Sequence, residues 1–120
     1  MLDMMSTDQI LVEQTDDVLI VSLAGRLDIT NSEEFENSVL EALKNKKTPV
    51  IVRLQEVSYM SSSGVRALLS IYHALRKHGK ELIIAELSPA VKKIISVTEL
   101  DRVFPVLGSL ENALQKVRGE

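Results

Sequence analysis

The sequence predicts an α/β domain: a small mixed sheet of four to five strands with about four helices. Three observations carry this. Short apolar runs alternate with segments whose apolar residues recur at three-and-four spacing, the period of one helix face. Helix-start residues stand at the head of those segments, as in Ser88-Pro89. The first two apolar runs are separated by only a short polar stretch, Thr15-Asp16-Asp17, which reads as the turn of an antiparallel hairpin. The order is β-β-α-β-α-β-α-β-α, and strands joined through helices pair in parallel.

The hairpin is Ile10 to Glu13 and Val18 to Leu23. The second run is apolar on both faces and is expected inside the sheet, closed by Gly25-Arg26-Leu27-Asp28. Thr30-Asn31-Ser32-Glu33 has the capping-box form, hydroxyl followed three residues later by glutamate. The helix it predicts carries Phe35, Val39, Leu40, Ala42 and Leu43 on one side, with Lys44, Lys46 and Lys47 at its end, where the helix dipole favours cations.

Val50 to Leu54 is the third strand. Three serines, Ser61, Ser62 and Ser63, then stand with Gly64 at the head of a second helix running to about His78, with Gly79 in the left-handed position that ends it. Its apolar arc is expected to hold Val65, Leu68, Leu69, Tyr72 and Leu75, with Ala67, Ile71 and Ala74 on the shoulder. Ser62, Arg66, Ser70, His73 and Lys77 fall on the opposite, wet side. Glu81 to Ala85 is a fourth strand. Ser88-Pro89 opens a third helix with Ala90, Val91, Ile94, Ile95 and Val97 as its apolar face. Val103 to Val106 is a short last strand, placed at a sheet edge because Pro105 has no N–H to donate. Ser109 caps a final helix with Leu110, Ala113, Leu114 and Val117.

The chain has 120 residues, which suits one domain, 1–120, with a core over about residues 8–117. Hydrophobic residues make up 45% and aromatics only 3%, so the core must be built from Val, Ile, Leu and Ala. A formal charge of −3, with no basic run, argues against direct nucleic-acid contact and against a membrane-surface patch. With no cysteine there is no disulfide, no thiolate nucleophile and no Cys-based metal site. Met1 to Ser6 lacks the basic and apolar regions of a signal peptide, and no apolar run approaches the ~20 residues of a membrane span. A cytoplasmic protein without membrane insertion is the expectation.

Candidate chemistry is sparse. Neither GxxxxGK[ST] nor GxGxxG occurs, so no cofactor is expected. His73 and His78 are five apart on one helix, the wrong offset for a same-face zinc pair, and Asp16-Asp17 reads as a turn rather than a metal site. Ser61-Ser62-Ser63-Gly64 is not the GxSxG of a hydrolase elbow, leaving Ser62 as a nucleophile a weak alternative. The serines have two readings. One is a helix cap and turn, and the other is a hydroxyl to be phosphorylated, where the helix N-terminus would hold the added charge. Arg66, one turn on, is within reach of a group attached at Ser62.

Two stretches carry a resemblance. Gly25-Arg26-Leu27-Asp28 followed by a helix, and Val57-Ser58-Tyr59-Met60-Ser61-Ser62-Ser63-Gly64-Val65, resemble the Gly-x-Leu-Asp segment and the phosphorylation segment of STAS domains, the fold of bacterial anti-sigma factor antagonists. The resemblance implies a STAS-like single domain whose helices lie mainly on one side of the sheet, and a non-enzymatic regulator that binds an anti-sigma factor, itself a serine kinase using its own ATP and magnesium, and thereby frees a sigma factor. It implies that phosphorylation at Ser62, with Ser61 and Ser63 as alternatives, releases the partner, and that a phosphatase resets the cycle. Asp28, Ser61, Ser62, Ser63, Gly64, Arg66, Ser70 and His73 are then the candidate partner-binding residues. Ser61 stands where the family has an aspartate, and Arg53 where an acidic residue is common. The other reading the resemblance allows is an unphosphorylated interaction module, such as a stressosome subunit or an accessory subunit of a lipid-transport ATPase.

Overall fold

The structure is a computed structural model describing residues 3–6 and 10–119. Residues 1–2 of the N-terminal stretch read above, residues 8–9 at the start of the expected core, and Glu120 lie outside the described residues. The elements run β1 (Asp3–Ser6), β2 (Ile10–Gln14), β3 (Leu19–Leu27), α1 (Ser32–Ala42), β4 (Val50–Met60), α2 (Ser62–Arg76), β5 (Leu82–Ala85), α3 (Pro89–Thr98), a short 3-10 turn (Leu100–Arg102), β6 (Val106–Leu107) and α4 (Leu110–Val117). The mixed α/β class and the four helices are as expected. The sheet has six strands in the order β1-β2-β3-β4-β5-β6 rather than four or five. The added strand, β1, pairs antiparallel with β2. Its Asp-Met-Met-Ser sequence contains no β-branched or aromatic residue, so it carries no strand signal of its own.

The β2–β3 pair is antiparallel and the pairs β3–β4, β4–β5 and β5–β6 are parallel. The hairpin turn is held by Thr15: its N–H donates to the Val18 carbonyl at 3.0 Å, and its hydroxyl donates to Asp17 Oδ1 at 2.8 Å. Alternation along the strands sorts the core into two layers. Val50, Val52 and Leu54 join Leu19, Val21 and Leu23 under α1, α2 and α3; Ile51 joins Val18, Ile83 and Ala85 under α4. Three helices thus cover one face and only α4 the other.

The β4 strand departs furthest from expectation, ending at Met60 instead of Leu54. Its pairing with β3 shifts register twice, between Ser22 and Ala24 and between Gly25 and Arg26. Each shift inserts one extra β4 residue, a bulge that would otherwise turn every later side chain over. The result is a three-residue spacing, in which Leu54, Val57 and Met60 all stay on the core side while Gln55, Glu56, Ser58 and Tyr59 are exposed. Broken alternation made this half of the strand invisible to a period-two reading.

Smaller corrections follow from the same packing. Helix α1 starts at Ser32 with Asn31 as its N-cap and no side-chain capping bond, so the Thr30 capping box does not form. The Thr30 hydroxyl donates to Asp28 Oδ1 at 2.6 Å, a charge-assisted bond that keeps Thr30 in the turn ahead of the helix. At the other end of α1, Lys47 Nζ donates to the Leu43 carbonyl at 2.8 Å, as its position predicted. Ser88 caps α3 and Ser109 caps α4, their hydroxyls accepting from Val91 N and Asn112 N. On α3, only Val91 and Ile95 are buried, while Ala90 and Val97 face solvent. The last strand is Val106–Leu107, at the sheet edge as expected; Val103 belongs to the turn that brings Phe104 into the core.

Candidate functional site at the tip of the second helix

The long β3–β4 pair sets the site. Its last register positions are Arg26 opposite Tyr59 and Leu27 opposite Met60. One residue further, the Ser61 N–H donates to the Leu27 carbonyl at 2.9 Å, so the Asp28 turn and the serine run are tied side by side. The Asp28 carboxyl accepts from the Thr30 hydroxyl and the Thr30 N–H at 2.6 and 3.0 Å, and from Arg26 Nε at 3.4 Å. The two bonds from Thr30, and then Arg26, hold its pKa below the ordinary aspartate value. Asn31 closes the turn: its Oδ1 accepts from the Asp28 N–H at 2.9 Å and its Nδ2 donates to the Arg26 carbonyl at 2.7 Å. Arg26 also lies over the Tyr59 ring, 4.3 Å from its centroid.

The three serines have different environments. Ser61 is the N-cap of α2, its hydroxyl accepting from the Ser63 N–H at 3.2 Å. Ser63 is half-buried and lines the groove between α1 and α2. Ser62, the first helical residue, is exposed. Gly64 is buried, and a Cβ built there would lie 2.8 Å from Met60 Cγ and 3.0 Å from Leu27 Cγ. Gly64, expected at the partner surface, is thus buried, and its lack of a Cβ lets α2 approach the β3–β4 tip closely.

The buried seam of α2 is Gly64, Ala67, Leu68, Ile71 and Leu75, rotated by about one residue from the expected arc. Val65, Leu69 and Tyr72 are only half-buried, because α2 leans on α1 as well as on the sheet. The lean also accounts for Ser70, expected on the wet stripe. It is half-buried, its hydroxyl donating to Glu36 Oε2 on α1 at 2.7 Å. Arg66 and His73 are exposed as expected. His73 is eleven residues from Ser62, roughly 16 Å along the helix axis, and His78 lies beyond it, so neither imidazole of this chain reaches the Ser62 hydroxyl.

The groove beside the serines, about 440 Å3, is lined by Ile29, Glu33, Glu36, Ser63, Arg66 and others. Ile29 is 74% exposed, a large apolar side chain with no cover directly after Asp28. Its signal in the sequence is an isoleucine inside the polar turn Asp28-Ile29-Thr30-Asn31, where no apolar periodicity marks it. Among the described residues no cluster of His, Asp or Glu could hold a metal ion, and no helix is long and apolar enough to cross a membrane.

Residues 9–113 match the STAS domain family. The chain belongs to this family. Curated relatives of the STAS domain include the anti-sigma F factor antagonist of Paenibacillus polymyxa, 27% identical over 91% of this chain and 94% of that protein. An anti-sigma factor antagonist from Mycobacterium paratuberculosis superposes with a TM-score of 0.79 at 30% identity, covering 91% of this chain and 92% of that one. The anti-sigma factor antagonist SpoIIAA in its unphosphorylated form gives a TM-score of 0.82 at 25% identity, covering 92% and 97%. A phosphorylated Bacillus SpoIIAA shares the fold at a TM-score of 0.72 and 23% identity, covering 90% and 98%.

Proposed function

We propose that this STAS domain is an anti-sigma factor antagonist that binds its anti-sigma factor through the tip of α2 and the Asp28–Ile29 turn, and that phosphorylation of Ser62 by that partner releases it. The observation that carries the choice of residue is the division of labour among the serines: Ser61 is occupied as the cap, Ser63 is half-buried, and Ser62 presents a free edge to solvent. The names of the relatives support the regulatory reading, and SpoIIAA being known both without and with phosphate supports the switch.

The physics suits such a device. A phosphoserine carries about −1.5 to −2 charges at neutral pH. At the start of α2 the helix dipole and free N–H groups favour that charge, and no acidic residue lies in the first turn to oppose it. Buried unpaired in an interface, the same charge costs several kcal/mol, and each ~1.4 kcal/mol is tenfold in affinity. The complex dissociates while the domain remains folded.

The test is binding to the anti-sigma factor by calorimetry, with phosphorylation by the same protein and ATP followed by mass spectrometry. Ser62→Asp is expected to weaken binding by about a hundredfold or more, and Ser62→Ala to bind like wild type without being phosphorylated. Phosphate found on Ser61 or Ser63, or Ser62→Asp binding as tightly as wild type, overturns the assignment. Tight binding with no phosphate on any serine makes the domain an unphosphorylated interaction module instead.

A further inference from the structure

We propose that Arg66 is the cation that receives the phosphate on Ser62, so that modification draws its guanidinium out of the α1–α2 groove and fixes it at the tip of α2. The inference rests on the reading of Ser62 as the modified residue and adds to it a second consequence of phosphorylation.

The arginines make the argument. The chain has six, and five are engaged: Arg26 with Asp28, Arg53 with Glu86, Arg76 with the Tyr72 hydroxyl, Arg102 with Glu99 and Arg118 with Asp17. Arg66 alone has no hydrogen-bond or ion-pair partner among the described residues. Carboxylates are not lacking around it. Glu33 and Glu36 line the same groove, yet the Glu36 carboxylate takes the Ser70 hydroxyl and Glu33 makes no pair with it.

Arg66 sits four residues after Ser62 on a continuous helix, the spacing at which side chains lie one above the other, and both residues are exposed. Nothing between them competes. The position before Ser62 is the neutral Ser61, itself used as the cap, and the first turn of α2 holds no acidic residue. A guanidinium forms two parallel hydrogen bonds with phosphate oxygens, so an idle arginine one turn below the hydroxyl is matched in chemistry and in placement. Engaged there, it leaves Glu33 and Glu36 as the charged residues of the groove, which becomes acidic at the moment the tip becomes acidic. Phosphorylation then changes two parts of the docking surface together.

The experiment uses the full chain with phosphoserine installed at position 62 during synthesis, titrated by phosphorus NMR. A nearby cation favours the dianion, so Arg66→Gln is expected to raise the second pKa of the phosphoserine by about half a unit, and Arg66→Lys by less. Lys77→Gln, farther along the same helix, is expected to leave it unmoved. In the protein without phosphate, Arg66→Gln is expected to leave the melting temperature unchanged. Identical titrations for wild type and Arg66→Gln overturn the proposal, and so does a lowered melting temperature in the unphosphorylated variant, which would show the guanidinium already engaged in the fold. Because the phosphate is placed without a kinase, these outcomes are independent of whether a kinase selects Ser62; its failure to do so would sink the switch and leave this contact standing.

Discussion

Ser62 and Gly64 are two residues apart and have opposite duties. Ser62 is exposed at the tip of α2, and Gly64 is the point where that helix presses against Leu27 and Met60. Gly64→Ala would place a methyl within 3.0 Å of both side chains, so about 1–3 kcal/mol of stability is expected to be lost, read from urea unfolding. The same change is expected to displace α2 from the strand tip and to weaken anti-sigma factor binding, although Gly64 itself is buried. Asp28 makes a pH prediction. Its folded pKa is depressed by the Thr30 bonds and then by Arg26, so its contribution to stability is present above the unfolded aspartate pKa of about 3.9 and is lost as pH falls through the lower folded value. NMR titration should show the Asp28 carboxyl still ionised at pH values where an unfolded aspartate is half protonated, and the Asp28→Asn variant should lose that part of the acid dependence of unfolding. The residue itself was legible from the Gly-x-Leu-Asp segment. Its partners were not, because the capping-box pattern marks the Thr30 hydroxyl as an acceptor for helix N–H groups, whereas the folded turn uses it as a donor to the Asp28 carboxylate.

At the scale of elements, α2 depends on its seam and not on propensity. Leu68, Ile71 and Leu75 are each essentially fully buried, and burying such a side chain stabilises by about 1.5–3 kcal/mol. Leu68→Ala is therefore expected to cost about 2–5 kcal/mol by chemical denaturation, whereas Leu69→Ala, on the half-buried flank, should cost clearly less. A ranking in which Leu69 matters more would restore the arc drawn from the sequence. Helical periodicity located α2 and its apolar side; it could not say how α1 would lean on it, and that lean turns the seam toward Ala67 and Ile71. The β4 strand shows the opposite failure. Its first half alternates and is readable, but its second half is kept on the core side by two bulges that only the partner strand β3 reveals.

For the whole molecule, the two faces of the sheet are unequal. Three helices bury a continuous core on one face, while α4 contributes a single buried side chain, Ala113, with Leu110, Leu114 and Val117 only half-covered against Val18, Ile51 and Ile83. The Glu86 carboxylate helps to hold α4, accepting from the Leu110 N–H at 3.4 Å while also pairing with Arg53, and Arg118 pairs with Asp17 at its other end. Native-state hydrogen exchange is expected to show α4 opening at a lower free energy than α2 and the central strands, with α2 protected close to the global limit. Equal protection of α4 and α2 would contradict this division. A rigid α2 is what the proposed switch requires, since a charge added to its tip must disturb the interface and not the scaffold.

The sequence by itself determined the fold class, the caps of α3 and α4, and the placement of three serines at a helix start, because each is written in local chemistry: period, capping hydroxyl, proline, glycine. Only the tertiary structure decided that Ser63 is half-buried in the α1–α2 groove, that Gly64 is buried, and that Arg66 is the arginine without a partner among the described residues. Those facts depend on what comes close from distant parts of the chain. Leu27 reaches Gly64 and Ser61 across the β3–β4 pair, and α1 brings Glu36 to Ser70; no window along the chain contains either meeting.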